Sequence, residues 1–306
     1  MPCYHPLQAE FRILPSGKKE LMFRSYGTER AIKAFESGVP HDFSNIVRLP
    51  CGRCMGCKLE RARQWAMRCM HEASLYDKNC FLTLTYADNK LPSDRSVNRR
   101  HVQLFLKRLR RAYPKAVIRY FGCGEYGERL GRPHYHLCVF GFDFPDKLLH
   151  TISGGHKLYR SASLEALWGF GHCLIGDLTF GSAGYVARYC TKKVTGAMAD
   201  DHYNGRTPEF ACMSLKPGIG SGWYDKWKFD CYPSDFLVTR GVRCKPPRFY
   251  DKRLAVDDPE LYERIRTQRR QGAEDDPDGT YQRLLDREQC RLARVRRLIR
   301  KMEISR

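Results

Sequence analysis

Two short segments of the chain carry residue types from which a phosphodiester-cleaving site could be built. The first is RPHYHLCVF, residues 132–140, and its apolar and aromatic character predicts a β-strand. Side chains two positions apart on a strand point to the same side, so His134 and His136 can bind one divalent ion through neutral imidazole. Glu125, where the preceding strand should end, is the expected carboxylate ligand, and Glu128 is the alternative.

The second segment is GYVARYCTKK, residues 184–193, and it predicts a helix. Tyr185 and Tyr189 are four positions apart and would share one helix face. Free phenol has a pKa of about 10, so a tyrosine nucleophile needs a metal or a nearby cation for activation. Arg188 and Lys192 each follow a tyrosine by three positions and are expected to stabilise a phenolate and bind the scissile phosphate. A core aromatic stripe is the alternative, but the neighbouring residues are small or polar.

The chain has 306 residues, 42% of them hydrophobic, which is enough for one main domain with appendages or for two domains. Its formal net charge of +20 favours a polyanionic partner such as nucleic acid over an acidic membrane surface. The sequence contains no apolar run of transmembrane length, and the first residues lack the features of a signal peptide. We therefore expect a cytoplasmic protein without a membrane partner.

The hydrophobic pattern predicts an α+β fold with a central antiparallel sheet and helices on one face. We expect a glycine-rich turn at residues 122–127, and loops over 196–250. The predicted division is a Cys-rich element with a helix at 1–78, a core at 79–250 with an extension from 196, and a basic helical tail at 251–306. The principal predicted strands are 80–86, 116–121, 134–142 and 172–178, and the principal helices are 59–76, one starting after Asn98, 164–168 and 184–193.

Fourteen cysteines in a long basic chain without an export signal are expected to be reduced thiols rather than a disulfide framework. Cys51, Cys54 and Cys57 are evenly spaced. An iron–sulfur site would need a further cysteine near residue 61, where an arginine stands. A structural zinc with Cys3 or His5 as fourth ligand is the favoured interpretation, and unliganded cysteines beside glycine turns are the alternative.

The C-terminal stretch 283–303 is rich in arginine and leucine and predicts an amphipathic helix. It could be a solvated face or an element that follows a DNA backbone without reading its sequence. The predicted DNA contacts of the chain are Arg132, Lys193, Arg294 and Arg297.

Taken together, these motifs resemble those of the HUH endonucleases, the nicking enzymes of rolling-circle replication. Residues 81–86 resemble their first motif, His134-Tyr135-His136 the second, and Tyr185 with Tyr189 the two-tyrosine form of the third. The aromatic Tyr135 replaces the usual aliphatic residue. More narrowly, the chain resembles the replication initiators of microviruses of gokushovirus type, small single-stranded DNA phages. That resemblance rests on PCGRCMGC at 50–57, GEYG at 124–127, GRPHYH at 131–136, PEF at 208–210, MS at 213–214 and KPGIG at 216–220.

The resemblance implies an enzyme that nicks one strand of the double-stranded replicative form at the origin. One tyrosine would keep the 5′ phosphate as a covalent ester, and the second would cut the regenerated origin so that the released single strand is closed into a circle. The implied cofactor is Mg or Mn at the nicking site. The implied partners are single-stranded and double-stranded origin DNA, a host helicase and the replication machinery of a bacterial cytoplasm. No nucleotide cofactor is expected, since the sequence contains no phosphate-binding G-x4-G-K-[ST] loop.

Three other functions are compatible with parts of the pattern. A plasmid relaxase or transposase of the same superfamily would use the same chemistry. A non-catalytic, zinc-dependent DNA-binding protein would use the cysteines and the positive charge. A cupin-like metal oxygenase also places His-X-His on a strand, but residues 137–142 lack the carboxylate that it requires.

Overall fold

The structure is a computed structural model that describes residues 3–16, 19–24, 46–127, 130–188, 194, 198–274 and 276–303. The chain forms two compact units, Met1–Glu60 with Arg270–Arg306, and Arg61–Arg269. The domain boundaries expected from composition stay a prediction. In chain order the described elements are β1 (Leu7–Ile13), β2 (Lys19–Arg24), β3 (Ile46–Leu49), α1 (Met55–Ala73), β4 (Asn79–Thr85), α2 (Arg99–Ala112), β5 (Arg119–Tyr126), β6 (Pro133–Phe140), β7 (Leu148–Ser153), β8 (His156–Arg160), α3 (Ala162–Trp168), β9 (Cys173–Gly176), α4 (Phe180–Ala187), α5 (Ala199–Tyr203), β10 (Phe210–Met213), α6 (Ser221–Trp227), β11 (Leu237–Thr239), β12 (Val242–Cys244), α7 (Arg248–Asp257), α8 (Pro259–Glu274) and α9 (Tyr281–Glu303).

The larger unit is built around a seven-stranded sheet in the order β10-β5-β6-β4-β9-β8-β7. Every strand pair in it is antiparallel. The predicted α+β class with a central antiparallel sheet is therefore confirmed. β4 alternates buried and half-buried residues, whereas β6 is buried along almost its whole length.

Helices cover both faces of this sheet, so the prediction of helices on one face was wrong. On one face α2 and α3 pack over Leu82, Leu137 and Val139. On the other, α1 and α4 pack over Cys138 and Phe140. The run LCVF in β6 is continuously apolar because successive side chains enter two different cores.

α2 follows the sequence prediction closely. Asn98 caps its N-terminus, and its side chain accepts a hydrogen bond from the backbone N–H of Arg100 at 2.8 Å. The apolar face is buried at positions that recur with helical spacing. Those positions are Val102, Phe105, Leu106 and Leu109.

The predicted glycine turn at 122–127 is instead the second half of β5, which corrects the sequence prediction. A Cβ on Gly122 would lie 2.3 Å from Leu137 Cδ2 and 2.7 Å from the carbonyl oxygen of His136. These glycines permit close strand packing rather than a change of direction. The chain turns later, where Gly131 adopts a φ of +57°.

Two segments for which no strand was predicted contain further strands. β7 and β8 form a hairpin between residues 148 and 160, and β10 adds an edge strand to β5. β10 pairs with a strand far away in the sequence, and β7 and β8 lack a clear alternation of polar and apolar residues, so local patterns did not indicate these strands. α1 also begins earlier than predicted, at Met55.

The smaller unit contains a three-stranded antiparallel sheet in the order β2-β1-β3, and the helix α9. The stretch 251–306, predicted to be a basic helical tail, contains α8 and α9. Among the residues that the structure describes, no helix combines the length and the apolar character that a membrane span requires.

Candidate active site

Three neighbouring strands of the sheet bring the predicted ligands together. In the β5–β6 register, Glu125 lies opposite His134, and in the β4–β6 register, Thr83 lies opposite His136. Residues directly opposite each other in an antiparallel pair point to the same face. This face is the one on which α1 and α4 pack.

Glu125 and the two histidines form a compact donor set. Glu125 Oε1 lies 3.2 Å from His134 Nε2 and 3.5 Å from His136 Nε2. The carboxylate is only 1% exposed and His136 is 7% exposed. One ligand atom from each of the three residues lies within 4.8 Å of the others. A buried carboxylate that faces two imidazole nitrogens is a donor set suited to a divalent cation.

The second nitrogen of each imidazole has a partner that turns Nε2 toward Glu125. His134 Nδ1 donates to the backbone carbonyl of Arg132 at 3.1 Å. His136 Nδ1 lies 3.1 Å from the hydroxyl oxygen of Thr83. Histidines that bind metals characteristically donate their other N–H to such an acceptor, which fixes the tautomer and the ring orientation.

The separations also fit the size of a cation. Ligands about 2.1 Å from a metal lie about 3.0 Å apart at right angles and about 3.4 Å apart at tetrahedral angles. The measured 3.2 and 3.5 Å fall close to these values. The three residues therefore fit Mg, Mn or another small divalent ion by donor type and by spacing.

Tyr185 completes the site from α4. Thr179 caps this helix and forms a reciprocal capping box with Ser182. The Tyr185 hydroxyl donates to Glu125 Oε1 at 2.8 Å. Its ring packs edge-on against His136, with ring centroids 4.9 Å apart. The phenolic oxygen thus lies beside the imidazoles, on the same face of the sheet.

Comparisons with known proteins identify the family of the chain. The family described as replication-associated protein ORF2/G2P matches residues 79–194, which include all three strands and Tyr185. Replication-associated protein VP4 of Bdellovibrio phage phiMH2K is 30% identical over 272 residues, which cover 86% of this chain and 80% of that protein. The chain belongs to the family of phage replication-associated proteins.

Other members of the family are similarly close. Replication-associated protein ORF2 of Spiroplasma virus 4 is 32% identical over 269 residues, covering 83% of this chain and 80% of that protein. Replication-associated protein ORF4 of Chlamydia phage 1 is 32% identical over 226 residues, covering 70% of this chain and 56% of that protein. No solved structure matches the chain. The resemblance to microvirus replication initiators that the motifs indicated is confirmed.

The other predicted site residues of this replication-associated protein are placed as follows. Arg188 follows α4, is exposed, and has its guanidinium carbon 5.8 Å from the centre of the Tyr185 ring. Arg132 donates to the Tyr86 carbonyl oxygen and to Asp88, each at 2.6 Å. Arg294 is an exposed residue of α9. The predicted residues that lie outside the described part of the chain are Tyr189, Lys192, Lys193, the alternative ligand Glu128 and the side chain of Arg297.

Two residues near the site were not anticipated as parts of it. Thr83 holds the His136 ring, and Phe81 stacks on that ring with centroids 5.5 Å apart. Both alternate with the buried residues of β4. That alternation was visible in the sequence, but only the strand register shows that they face His136.

The middle residue of His-X-His faces the opposite core. The Tyr135 hydroxyl accepts a hydrogen bond from the backbone N–H of Asn98 at 2.7 Å and lies 2.6 Å from the Tyr86 hydroxyl. Burial raises the pKa of both phenols. These tyrosines are therefore neutral structural groups that tie β6 to the start of α2, and they are not nucleophiles.

The predicted cysteine ligands lie in the smaller unit. Cys3, Cys51, Cys54 and Cys57 have sulfur atoms that all lie within 4.8 Å of one another. His5, the alternative fourth ligand, instead pairs with Glu288 at 2.6 Å. None of the cysteines that the structure describes forms a disulfide.

Proposed function

We propose that this protein initiates rolling-circle replication by nicking one strand of the phage replicative-form DNA at the origin, with Tyr185 as a nucleophile. The observation that carries the proposal is one shared oxygen atom. Glu125 Oε1 accepts the Tyr185 hydroxyl at 2.8 Å and lies 3.2 and 3.5 Å from the two histidine nitrogens. A phenol and a set of metal ligands therefore converge on one point, where a scissile phosphate would meet both.

The cleavage step follows from these contacts. The Tyr185 oxygen forms a bond to phosphorus as the bond from phosphorus to the 3′ oxygen breaks. The phenolic proton is released to water, and the departing 3′ oxygen takes a proton from water, so that the protons balance. The products are a 5′-phosphotyrosine ester and a free 3′-OH that can prime synthesis.

Glu125, His134 and His136 would hold the divalent cation, Mg or Mn. When bound, the ion would act as a Lewis acid that withdraws charge from the phosphate oxygens. The histidines orient their Nε2 atoms for this role through Arg132 and Thr83. The packing of Tyr185 against His136 fixes the direction from which the phenol approaches.

The joining step is the reverse of cleavage. A 3′-OH attacks the phosphotyrosine, the bond from phosphorus to the tyrosine oxygen breaks, and the phenol regains its proton. Because the ester conserves the energy of the broken phosphodiester, joining requires no nucleotide cofactor. Tyr189 is the proposed second nucleophile, which cuts the regenerated origin so that the released strand is closed into a circle.

DNA binding in this proposal is electrostatic and is assisted by exposed arginines. The net charge of +20 supports attraction to the phosphate backbone, and Arg188 is exposed beside Tyr185. Origin DNA in single-stranded and double-stranded form is the proposed substrate. A host helicase would supply strand separation.

The test is formation of a covalent adduct. The protein is incubated with Mn²⁺ and labelled single-stranded oligonucleotides tiled across the parent phage genome, and the products are run on a denaturing protein gel. We expect a labelled adduct with one origin segment. Tyr185→Phe should remove or strongly reduce it, and Tyr185→Phe with Tyr189→Phe should abolish it.

Tyr113→Phe provides a matched control, since Tyr113 is a half-buried tyrosine that packs on the opposite core. It should leave adduct formation unchanged. An adduct that persists in the double variant would disprove the tyrosine assignment. Sequence-specific binding without any adduct would instead favour a non-catalytic DNA-binding protein.

A further inference from the structure

The smaller unit contains a cluster of four thiols that the nicking chemistry does not use. Cys3 precedes β1, and Cys51, Cys54 and Cys57 lie between the end of β3 and the first turn of α1. All four sulfur atoms lie within 4.8 Å of one another. Residues separated by almost fifty positions have therefore been brought to one point.

Three backbone N–H groups around the cluster donate to its sulfur atoms. The N–H of Cys51 donates to Cys3 Sγ at 3.2 Å, and the N–H of Cys54 donates to Cys51 Sγ at 3.3 Å. The N–H of Tyr4 donates to Cys54 Sγ at 3.4 Å. Gly52, with a φ of +73°, makes the tight turn between Cys51 and Cys54. These N–H groups hold the sulfur atoms in one place and direct them toward a common centre.

The start of α1 adds a further electrostatic contribution. Cys54 is the capping residue, since its carbonyl oxygen accepts the N–H of Lys58 at 3.0 Å. The first turn of α1 contains no acidic side chain. A thiolate at this end of the helix would provide the negative charge that the helix dipole favours.

The distances between the sulfur atoms favour a single zinc ion over a multi-iron cluster. Thiolates about 2.3 Å from a tetrahedral zinc lie about 3.8 Å apart. The measured distance from Cys3 Sγ to Cys54 Sγ is 3.9 Å. A multi-iron cluster places several metal and sulfide atoms between its thiolates and needs a wider cage. Four thiolates this close would repel one another without a cation between them.

We propose that Cys3, Cys51, Cys54 and Cys57 bind one structural zinc ion. All four coordination positions come from the protein, so the site is closed and non-catalytic. The ion would join the start of β1 to the start of α1 and close a chain segment that contains the whole β2-β1-β3 sheet. Its binding free energy then becomes folding free energy of the smaller unit.

Metal content of the purified full-length chain is the direct test. We expect about one zinc ion per chain by elemental analysis, and replacement by cobalt should give the visible absorption of a tetrahedral thiolate complex. Cys57→Ser should lose the metal, whereas Cys290→Ser should keep it, because Cys290 is exposed on α9. Glu125→Gln should also keep it, which separates this site from the nicking site.

A second measurement on the unmodified protein covers the case in which Cys57→Ser does not fold. Alkylation with peptide mapping should label Cys290 at all times and the four clustered cysteines only after chelation. Three results would overturn the proposal: zinc well below one equivalent in protein made in zinc-supplemented medium, zinc lost with Glu125→Gln, or paired disulfides among the four cysteines. None of them bears on whether Tyr185 forms an adduct.

Discussion

Thr83 offers a sharp test of the proposed metal site, because it acts on the ion only through His136. Its hydroxyl oxygen lies 3.1 Å from His136 Nδ1, and the two residues are directly paired in the β4–β6 register. Thr83→Val replaces the hydroxyl with a methyl group of similar shape and keeps a β-branched residue in the strand. The imidazole should then lose the partner that holds Nε2 toward Glu125.

The magnitude follows from the loss of one hydrogen bond. A neutral hydrogen bond contributes about 0.5–1.5 kcal/mol, which corresponds to about a 2- to 12-fold change in an equilibrium constant. Losing an acceptor that orients a metal-binding histidine typically weakens metal affinity by about 10- to 100-fold. We expect Thr83→Val to raise the half-saturating Mn²⁺ concentration by about tenfold. At saturating Mn²⁺, the rate of adduct formation should return to within about twofold of the wild type, because Tyr185 and Glu125 are unchanged.

The assay is single-turnover adduct formation over a range of Mn²⁺ concentrations, together with direct measurement of free Mn²⁺ by electron paramagnetic resonance. Thr83→Ser keeps the hydroxyl and should behave like the wild type. Thr85→Val is the matched control, since the Thr85 hydroxyl donates to the His172 carbonyl at 2.9 Å instead of to a ligand. An unchanged half-saturation in Thr83→Val, or an equal shift in Thr83→Ser, would refute the role assigned to this hydroxyl.

Three further predictions concern stability. Burial lowers the pKa of His71 from 6.5 to about 4. The free energy of unfolding that depends on neutral His71 is therefore fully present above pH 6.5, the pKa of the unfolded chain. It falls by up to about 3 kcal/mol as the pH drops to 4. His71→Phe should make the free energy of unfolding, measured by urea titration, depend less on pH between 6.5 and 4. Equal pH dependence in the wild type and the variant would contradict this prediction. Gly122→Ala should lower the free energy of unfolding by about 1–3 kcal/mol through overpacking. Gly272→Ala should not lower it, because a Cβ there meets nothing within 4 Å. Equal melting temperatures of the two variants would count against the close contact at Gly122. Tyr135→Phe should cost about 1–3 kcal/mol by leaving the Asn98 N–H without its acceptor, with Mn²⁺ affinity unchanged; a loss of Mn²⁺ affinity at constant stability would show that the hydroxyl acts on the site instead.

The local patterns of the sequence were sufficient to predict which side chains lie together at the candidate site. The alternation of a strand is strict, so His134 and His136 had to share a face wherever the strand lay. Glu125 lies beside the two histidines, as expected, although its place in the strand differs. It was expected at the edge of a turn, but it lies inside β5 directly opposite His134. The proximity to His134 is the same because the hairpin that joins β5 and β6 brings these positions together in either case.

Nonlocal pairing accounts for most of what the sequence did not reveal. β10 joins the sheet beside β5 from a segment that is rich in glycine, proline and aromatic residues. The glycines of β5 suggested a turn because glycine is common in turns. The actual requirement at Gly122 is the approach of Leu137 and the His136 carbonyl from the next strand. No local pattern contains that information.

The site is therefore a property of strand register rather than of any one segment. Glu125 pairs with His134, and Cys123 pairs with His136, within the same β5–β6 ladder. A slip of one residue would turn the whole ligand face of β5 toward the other core and separate the carboxylate from both imidazoles. The tight contacts at Gly122 and the buried tyrosine network at Tyr135 both oppose such a slip, from the face of the sheet opposite the ligands. Packing residues that touch neither metal nor DNA are for this reason expected to determine whether the nucleophile and the ligands meet.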